Sequence, residues 1–422
     1  MLSWEHKSRK LGEQDRSAGE EATAAMESVK LSSPQSLSSS ALRDTTPLAR
    51  DRAWVEIDLT ALSHNVLHLK RFLSPQTELM AVVKADAYGH GAVTVAQTVL
   101  QHGASWLGVA TIPEGIELRK AGIDAPILIL GATNTPDQVL CMAHWKLQPT
   151  LCTPKQALVF SETLRASTKD CPYPVHIKLD TGMSRLGANW QQAASFVQLV
   201  NQLPHLRIAS IYSHFATADS PDPAGMIEQQ QRFEDAIASI KSTGFTPPRL
   251  HLSNSAATLT NPALHYDMVR VGLATYGLYP ADHLKQAIAL KPVLSVKARI
   301  TGVKTIAPGT GVSYGHHFVA SQEMRLAVVG IGYADGIPRN LSNKLQVLLR
   351  GKLVSQVGAI TMDQLMLDVS AIPDCTEGEV VTLLGQDGDI QIRADDWAET
   401  LGTISWEILC SFKHRLPRVA VG

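Results

Sequence analysis

Trp106-Leu-Gly-Val-Ala-Thr111 is followed by the amphipathic stretch Pro113–Ala121 and then by Pro126-Ile-Leu-Ile-Leu-Gly131. Two near-continuous apolar runs flank one helical pattern. Such runs suit strands buried on both faces, in a parallel sheet whose outer side the intervening helix covers. Pro113 stands where a first helical turn tolerates proline. The rhythm extends in both directions. Leu79–Lys84 precedes it, and Leu147–Leu151, Val175–Asp180, Arg207–His214, Arg249–Asn254 and Met268–Leu273 follow. Helical patterns such as Pro136–Trp145 and Ile227–Lys241 fill most gaps. Eight strand–helix units in this length predict a (β/α)8 barrel, typically about 250 residues.

Outside these units the pattern changes. Ala53–Ile57 reads as a short strand before a helix that carries Leu62, Val66, Leu69 and Leu73, and it is free to join either domain. After Tyr279 come Leu294–Ile306, Arg325–Gly332, Leu345–Leu349, Gln364–Val369 and Val380–Leu384, with turns and little helix between them. That predicts a mainly β second domain, with a short helix pair at Ala394–Phe412. The fold class is therefore α/β plus β: a barrel over 51–285 and a β domain over 286–422. Residues 1–50 hold Ser36-Leu-Ser-Ser-Ser40 and only Trp4 as an aromatic, and read as a disordered extension. A marginal helix within 11–30 is open.

Composition excludes several functions. The formal net charge of −1 over 422 residues favours neither nucleic acid nor an anionic membrane as partner. No apolar run approaches a bilayer span, and the polar first residues argue against a secretory signal. Cys141, Cys152, Cys171, Cys375 and Cys410 are scattered without a C-x-x-C pair. They read as reduced thiols of a cytoplasmic protein, not as zinc ligands or disulfides. His64 and His68 share a helix face, but no third ligand completes a metal site.

Catalytic groups of such barrels gather at the C-terminal ends of strands. Those ends carry Lys84, Lys178, Asp180, His214, Asn254, Ser255, Arg270 and Gly272. Polar residues there cost free energy to desolvate, so their convergence marks a site. A lysine after the buried Met80–Val83 should have a depressed pKa, and its neutral amine can attack an aldehyde. A lysine that merely snorkels fits the same place. Ser255-Ala-Ala and Gly272 follow the seventh and eighth strands, where barrels often bind phosphate. A plain helix cap and turn glycine fit equally. A phosphate cradle together with an aldehyde-capturing lysine suggests pyridoxal phosphate (PLP).

These residues sit in nine blocks that resemble the alanine racemase family across residues 53–422. They are Ala81–Gly91, Ile177–Gly187, Ser213–Asp219, Asn254–Ala257, Val269–Leu273, Tyr276–Leu278, Val312–His316, Ile331–Gly336 and Met362–Gln364. The resemblance implies PLP-dependent interconversion of L- and D-alanine, feeding peptidoglycan if the source is bacterial. It implies Lys84 as cofactor lysine and one base, and Tyr314, reaching the partner subunit's site in a homodimer, as the other. His214 would support Tyr314. Arg270 would face the pyridine nitrogen; as a donor only, it implies an unprotonated ring. Tyr88, Ser255, Gly272 and Leu273 would hold the phosphate, with Asn254 in the same cofactor-binding set. Arg185 and the backbone of Met362 would bind the amino-acid substrate, and Tyr333 would narrow the entrance. Lys178 matches a lysine that is carbamylated in some members.

Two positions depart from many relatives. Trp406 stands in place of tyrosine at a phosphate contact, which opens the question of pocket size, and Thr361 stands in place of cysteine. The rival readings are a serine or broad-specificity racemase, a non-catalytic PLP carrier and a fold-related decarboxylase.

Overall fold

The computed structural model describes residues 50–166, 172–412 and 414–422. The expected extension before Arg50, the helix within 11–30 and Cys171 lie outside the described residues.

Eight parallel strands form the barrel: β2 (Glu78–Val82), β3 (Trp106–Val109), β4 (Ile127–Ala132), β5 (Gln148–Leu151), β6 (Tyr173–Asp180), β7 (Leu206–Tyr212), β8 (Leu250–His251) and β9 (Met268–Val271). Each pairs with the next from β2 to β8, and β9 pairs with β2. The last gap is closed by single backbone bonds, Asp267 N–H to Leu250 O (3.1 Å) and Arg270 N–H to Ser253 O (3.0 Å). Met80, Trp106, Leu128, Tyr212 and Met268 form a separate apolar cluster drawn from five of these strands.

Three outer helices start with one chemical device. Thr111, Thr135 and Thr153 precede Ile112–Lys120, Pro136–His144 and Pro154–Leu164, each with proline in the first turn. Glu114, Gln138 and Gln156 reach back to backbone N–H groups of Thr111, Thr135 and Cys152. These reciprocal bonds satisfy donors that a helix start leaves orphaned. The chain thus turns sharply from each strand end into its helix, which keeps the strand mouths open.

The second sheet is mainly antiparallel and centres on β10 (Leu294–Ile306). It pairs with β11 (Met324–Val329) and β12 (Val380–Asp387). β1 (Ala53–Asp58) also lies in this sheet, antiparallel to β10 with Val55 opposite Val296. The helices Ala394–Leu401 and Ser405–Ser411 form the expected pair. Among the described residues no helix is long and apolar enough to cross a membrane.

Candidate active site

Strand β2 ends at Val82, and Lys84 opens a turn of unusual hand. Ala85, Asp86, Ala87 and Tyr88 have φ of 53°, 53°, 53° and 56°. Left-handed backbone costs an L-residue roughly 1–2 kcal/mol, so four in succession persist only if the surroundings impose them. They are imposed from several sides. Ala85 N–H donates to Glu114 Oε1 (2.8 Å), and Ala92 N–H to Asp86 Oδ1 (2.7 Å). The buried His90 Nδ1 lies 2.9 Å from Ala87 O and 3.0 Å from Tyr88 O, so it must carry the donated proton. Arg418 Nε–H donates to Gly89 O (3.0 Å). Gly89 itself has φ of 82°, and a Cβ there would meet Leu409 O at 2.5 Å. The outcome is a half-buried Lys84 amine on a rigid mount. Burial, and then the nearby Arg185 charge, hold its pKa below the usual lysine value.

Arg270 lies 3% exposed at the end of β9, and the groups that accept from it are all uncharged. Nη1–H donates to His251 Nδ1 (2.9 Å). Nη2–H donates to Ser213 O (2.7 Å), Leu252 O (3.0 Å) and His214 Nδ1 (3.0 Å). The guanidinium also sits 5.1 Å over the Tyr212 ring. Burial lowers its pKa to about 10, so it stays charged at neutral pH. Arginine only donates, so His214 Nδ1 must accept and Nε2 must bear the proton. Burial, reinforced by Arg270, keeps His214 neutral well below the usual histidine range. Lys178 is also buried, 5.6 Å from the Tyr212 ring. Burial and then Arg270 push its pKa down to about 8.

Ser255 lines the cavity and braces two of its loops. Its Oγ accepts from Gly272 N–H (3.0 Å) and Ala274 N–H (3.4 Å), tying the loop after β8 to the loop after β9. Asn254 caps the short helix Ser255–Thr260 by accepting from Ala257 N–H (3.0 Å). A Cβ on Gly272 would meet Tyr88 Oη at 2.5 Å. Gly272, Leu273, Tyr88 and Ser255 therefore converge on a spot that only glycine leaves open.

One cavity of about 560 Å³ is lined by Lys84, Tyr88, Lys178, Arg185, His214, Asn254, Ser255, Arg270, Gly272, Leu273 and Trp406. All eleven expected cofactor and substrate residues of the barrel and its adjoining helix thus share it. Tyr314, Tyr333 and Met362 do not line it. Tyr314 is 74% exposed and Met362 52%. Tyr333 lines a neighbouring cleft that shares Cys410 with the main cavity. Asp219 and Cys410 also line the main cavity and were not singled out from sequence. Nor was Glu114, whose carboxylate takes the N–H groups of Ala85, Ala110 and Thr111. The Thr111-x-x-Glu114 spacing was the available signal for it.

Two family profiles match the chain in order, "Alanine racemase, N-terminal domain" over residues 57–280 and "Alanine racemase, C-terminal domain" over residues 293–420. The chain belongs to the alanine racemase family. It is 72% identical to the alanine racemase of Nostoc sp. over 378 residues, which is 90% of this chain and 98% of that one. It is 64% identical to that of Synechocystis sp., over 89% and 100% of the two chains. The alanine racemase structure from Clostridium difficile 630 superposes with a TM-score of 0.83 at 34% identity, covering 88% of this chain and 96% of the other. That from Bacillus anthracis with bound L-Ala-P gives 0.82 at 36% identity, covering 88% and 95%.

Alanine racemases are isomerases dependent on PLP, and the cavity fits that cofactor. The Gly272 cradle leaves room for a phosphate against backbone. With Nη2–H committed to three acceptors and one Nη1–H to His251, the second Nη1–H and Nε–H of Arg270 remain to serve a ring nitrogen. The Lys84 amine, its pKa lowered by burial, lines the same cavity.

Proposed function

We propose that this chain interconverts L-alanine and D-alanine with two bases acting from opposite sides. The observation that carries the reading is the half-buried, pKa-lowered Lys84 amine in one cavity with Arg270 and the Gly272 cradle. Bound PLP supplies an aldehyde that captures the substrate amine and a ring that withdraws electrons from its α-carbon.

Lys84 then moves the α-proton on one face, aided by a pKa held nearer to neutrality than a solvated lysine's. Tyr314 serves the other face from the partner subunit of a homodimer. Its 74% exposure in a single chain, with Met362 and Tyr333 also exposed, suits a surface that a second copy covers. The proton that His214 carries on Nε2 is available to the Tyr314 oxygen. Arg270 would donate to the ring nitrogen without passing a proton, which would restrain the ring as an electron sink and limit side reactions. Tyr88, Ser255, Gly272, Leu273 and Trp406 would hold the phosphate end, with Asn254 fixing the helix start beside them. Arg185 and the Met362 backbone take the substrate carboxylate, and Tyr333 narrows the entrance. The product would supply cytoplasmic peptidoglycan synthesis.

Lys178 is assigned as a carbamate. Its pKa of about 8 makes the neutral amine predominate as pH rises past that value. The neutral nitrogen adds CO2, releases one proton, and the new carboxylate pairs with Arg185. Protein equilibrated with 13C-bicarbonate at pH 8.5 is expected to show one carbamate resonance that Lys178→Gln lacks (pH chosen about half a unit above the amine pKa). Wild-type protein without that resonance would count against the assignment.

The activity itself is tested by chiral chromatography of purified enzyme with PLP, using L-alanine beside L-serine. Rapid conversion of alanine alone is expected. Comparable serine turnover would make this a broader racemase, and no turnover of either would overturn the proposal.

A further inference from the structure

The polar residues inside the barrel continue beyond Arg270. His251 Nε2 lies 2.8 Å from Ser210 Oγ. Ser210 Oγ lies 2.6 Å from His176 Nδ1, and His176 Nε2 lies 2.7 Å from Gln148 Oε1. These residues come one each from five successive strands: Gln148 from β5, His176 from β6, Ser210 from β7, His251 from β8 and Arg270 from β9. His176 and Ser210 are direct partners in the sheet register. His176, Ser210 and His251 are fully buried.

The direction of every bond follows from the two ends. Arg270 can only donate, so His251 Nδ1 accepts and Nε2–H donates to Ser210 Oγ. At the far end the Gln148 carbonyl oxygen can only accept, so His176 Nε2–H donates to it and His176 Nδ1 is bare. The Ser210 hydroxyl therefore donates to His176 Nδ1. Proton positions on two histidines and one serine are thus all determined. Burial suppresses the charged form of both rings, taking His176 to about 3 with help from Arg249 and Arg207, and His251 well below its usual range.

We propose that Gln148, His176, Ser210 and His251 are positioning residues that form a one-way hydrogen-bond relay across the barrel and lock the Arg270 guanidinium in place. The proposal rests on the reading of Arg270 as the partner of the cofactor ring. Each link directs an acceptor atom back toward Arg270, so the dipoles align and reinforce one another in a dry interior. An uncharged relay of this kind stabilises the buried cation without a carboxylate that could take its place at the ring or pull the guanidinium aside. Tyr212 adds to the mount: its ring stacks on His251 at 4.6 Å with 9° between planes, and its hydroxyl is anchored 2.7 Å from Thr150 Oγ1.

The test begins with cofactor-free protein labelled with 15N in histidine side chains, so it does not depend on turnover. At neutral pH, His176 and His251, assigned through His176→Gln and His251→Gln, are expected as neutral rings protonated on Nε2 alone. An Nδ1–H tautomer or an imidazolium at either position would overturn the relay. In the holoenzyme, Ser210→Ala is expected to lower kcat about tenfold while KM stays within about twofold, because the substrate contacts are untouched. Ser210→Thr, which keeps the hydroxyl, should recover most of the loss. Folded Ser210→Ala enzyme with wild-type kcat would show that the relay does not position Arg270. If that variant fails to fold, the tautomers of the wild-type protein decide the matter.

Discussion

Lys84→Ala is expected to lower alanine racemisation by at least about a thousandfold, since it removes both the cofactor's amine anchor and one of two proton-transfer groups. The loss should fall on chemistry and not on folding. The four left-handed residues after Lys84 are held by hydrogen bonds of Glu114, Asp86, His90 and Arg418, and none of these bonds involves the Lys84 side chain. Alanine at position 84 also relieves the desolvation and the Arg185 repulsion that lower the amine's pKa. Thermal stability should therefore match or exceed that of the wild type, both measured without cofactor. The chiral assay checks the rate, and the visible absorbance of protein-bound cofactor checks the lost anchor. A variant that keeps more than about a tenth of wild-type turnover would remove Lys84 from the mechanism.

The second large effect is a gain of activity from two inactive proteins. Tyr314→Phe lacks the phenolic oxygen and should be nearly silent by itself, as should Lys84→Ala. If Tyr314 serves the partner's site, a hybrid dimer of the two has one doubly defective site and one wholly intact site. Co-expression in equal amounts makes about half the dimers hybrid, each with one live site of two, so about a quarter of wild-type activity should return. If Tyr314 acts within its own chain, each hybrid site retains one defect and no activity returns. The experiment therefore tests the homodimer and the tyrosine's role together. The exposure of Tyr314 and Met362, 74% and 52%, gives the physical motive, since large apolar groups are seldom left so open together on a finished surface.

Much of this was legible in the letters. A strand buried on both faces must be apolar almost throughout, so Trp106–Thr111, Pro126–Gly131 and their counterparts announced eight units that the structure contains as β2 to β9. Threonine and proline before Glu114, Gln138 and Gln156 mark helix starts by local bonding alone. A lysine, an arginine and a histidine at the mouths of such strands reveal a site because only a site compensates their desolvation. Hence eleven expected residues line one cavity.

Tertiary structure decided the rest, wherever the outcome depends on partners distant in sequence. Ala53–Ile57 is apolar enough for either domain, and only its pairing with Leu294–Ala298 puts it in the second sheet. Alanine, aspartate and tyrosine prefer right-handed backbone, so no local rule reads a left-handed turn at Ala85–Tyr88; Glu114 and Arg418, distant in sequence, impose it. Ser255 was read as a donor to phosphate; that its oxygen also accepts from the Gly272 and Ala274 N–H groups follows only because β8 and β9 bring those loops together. His176, Ser210 and His251 show in sequence only as polar letters within apolar strands. The stagger between neighbouring strands puts them in contact, and a donor-only arginine at one end then assigns every proton. Local chemistry is written residue by residue, whereas the direction of a hydrogen bond across strands exists only once the barrel has closed.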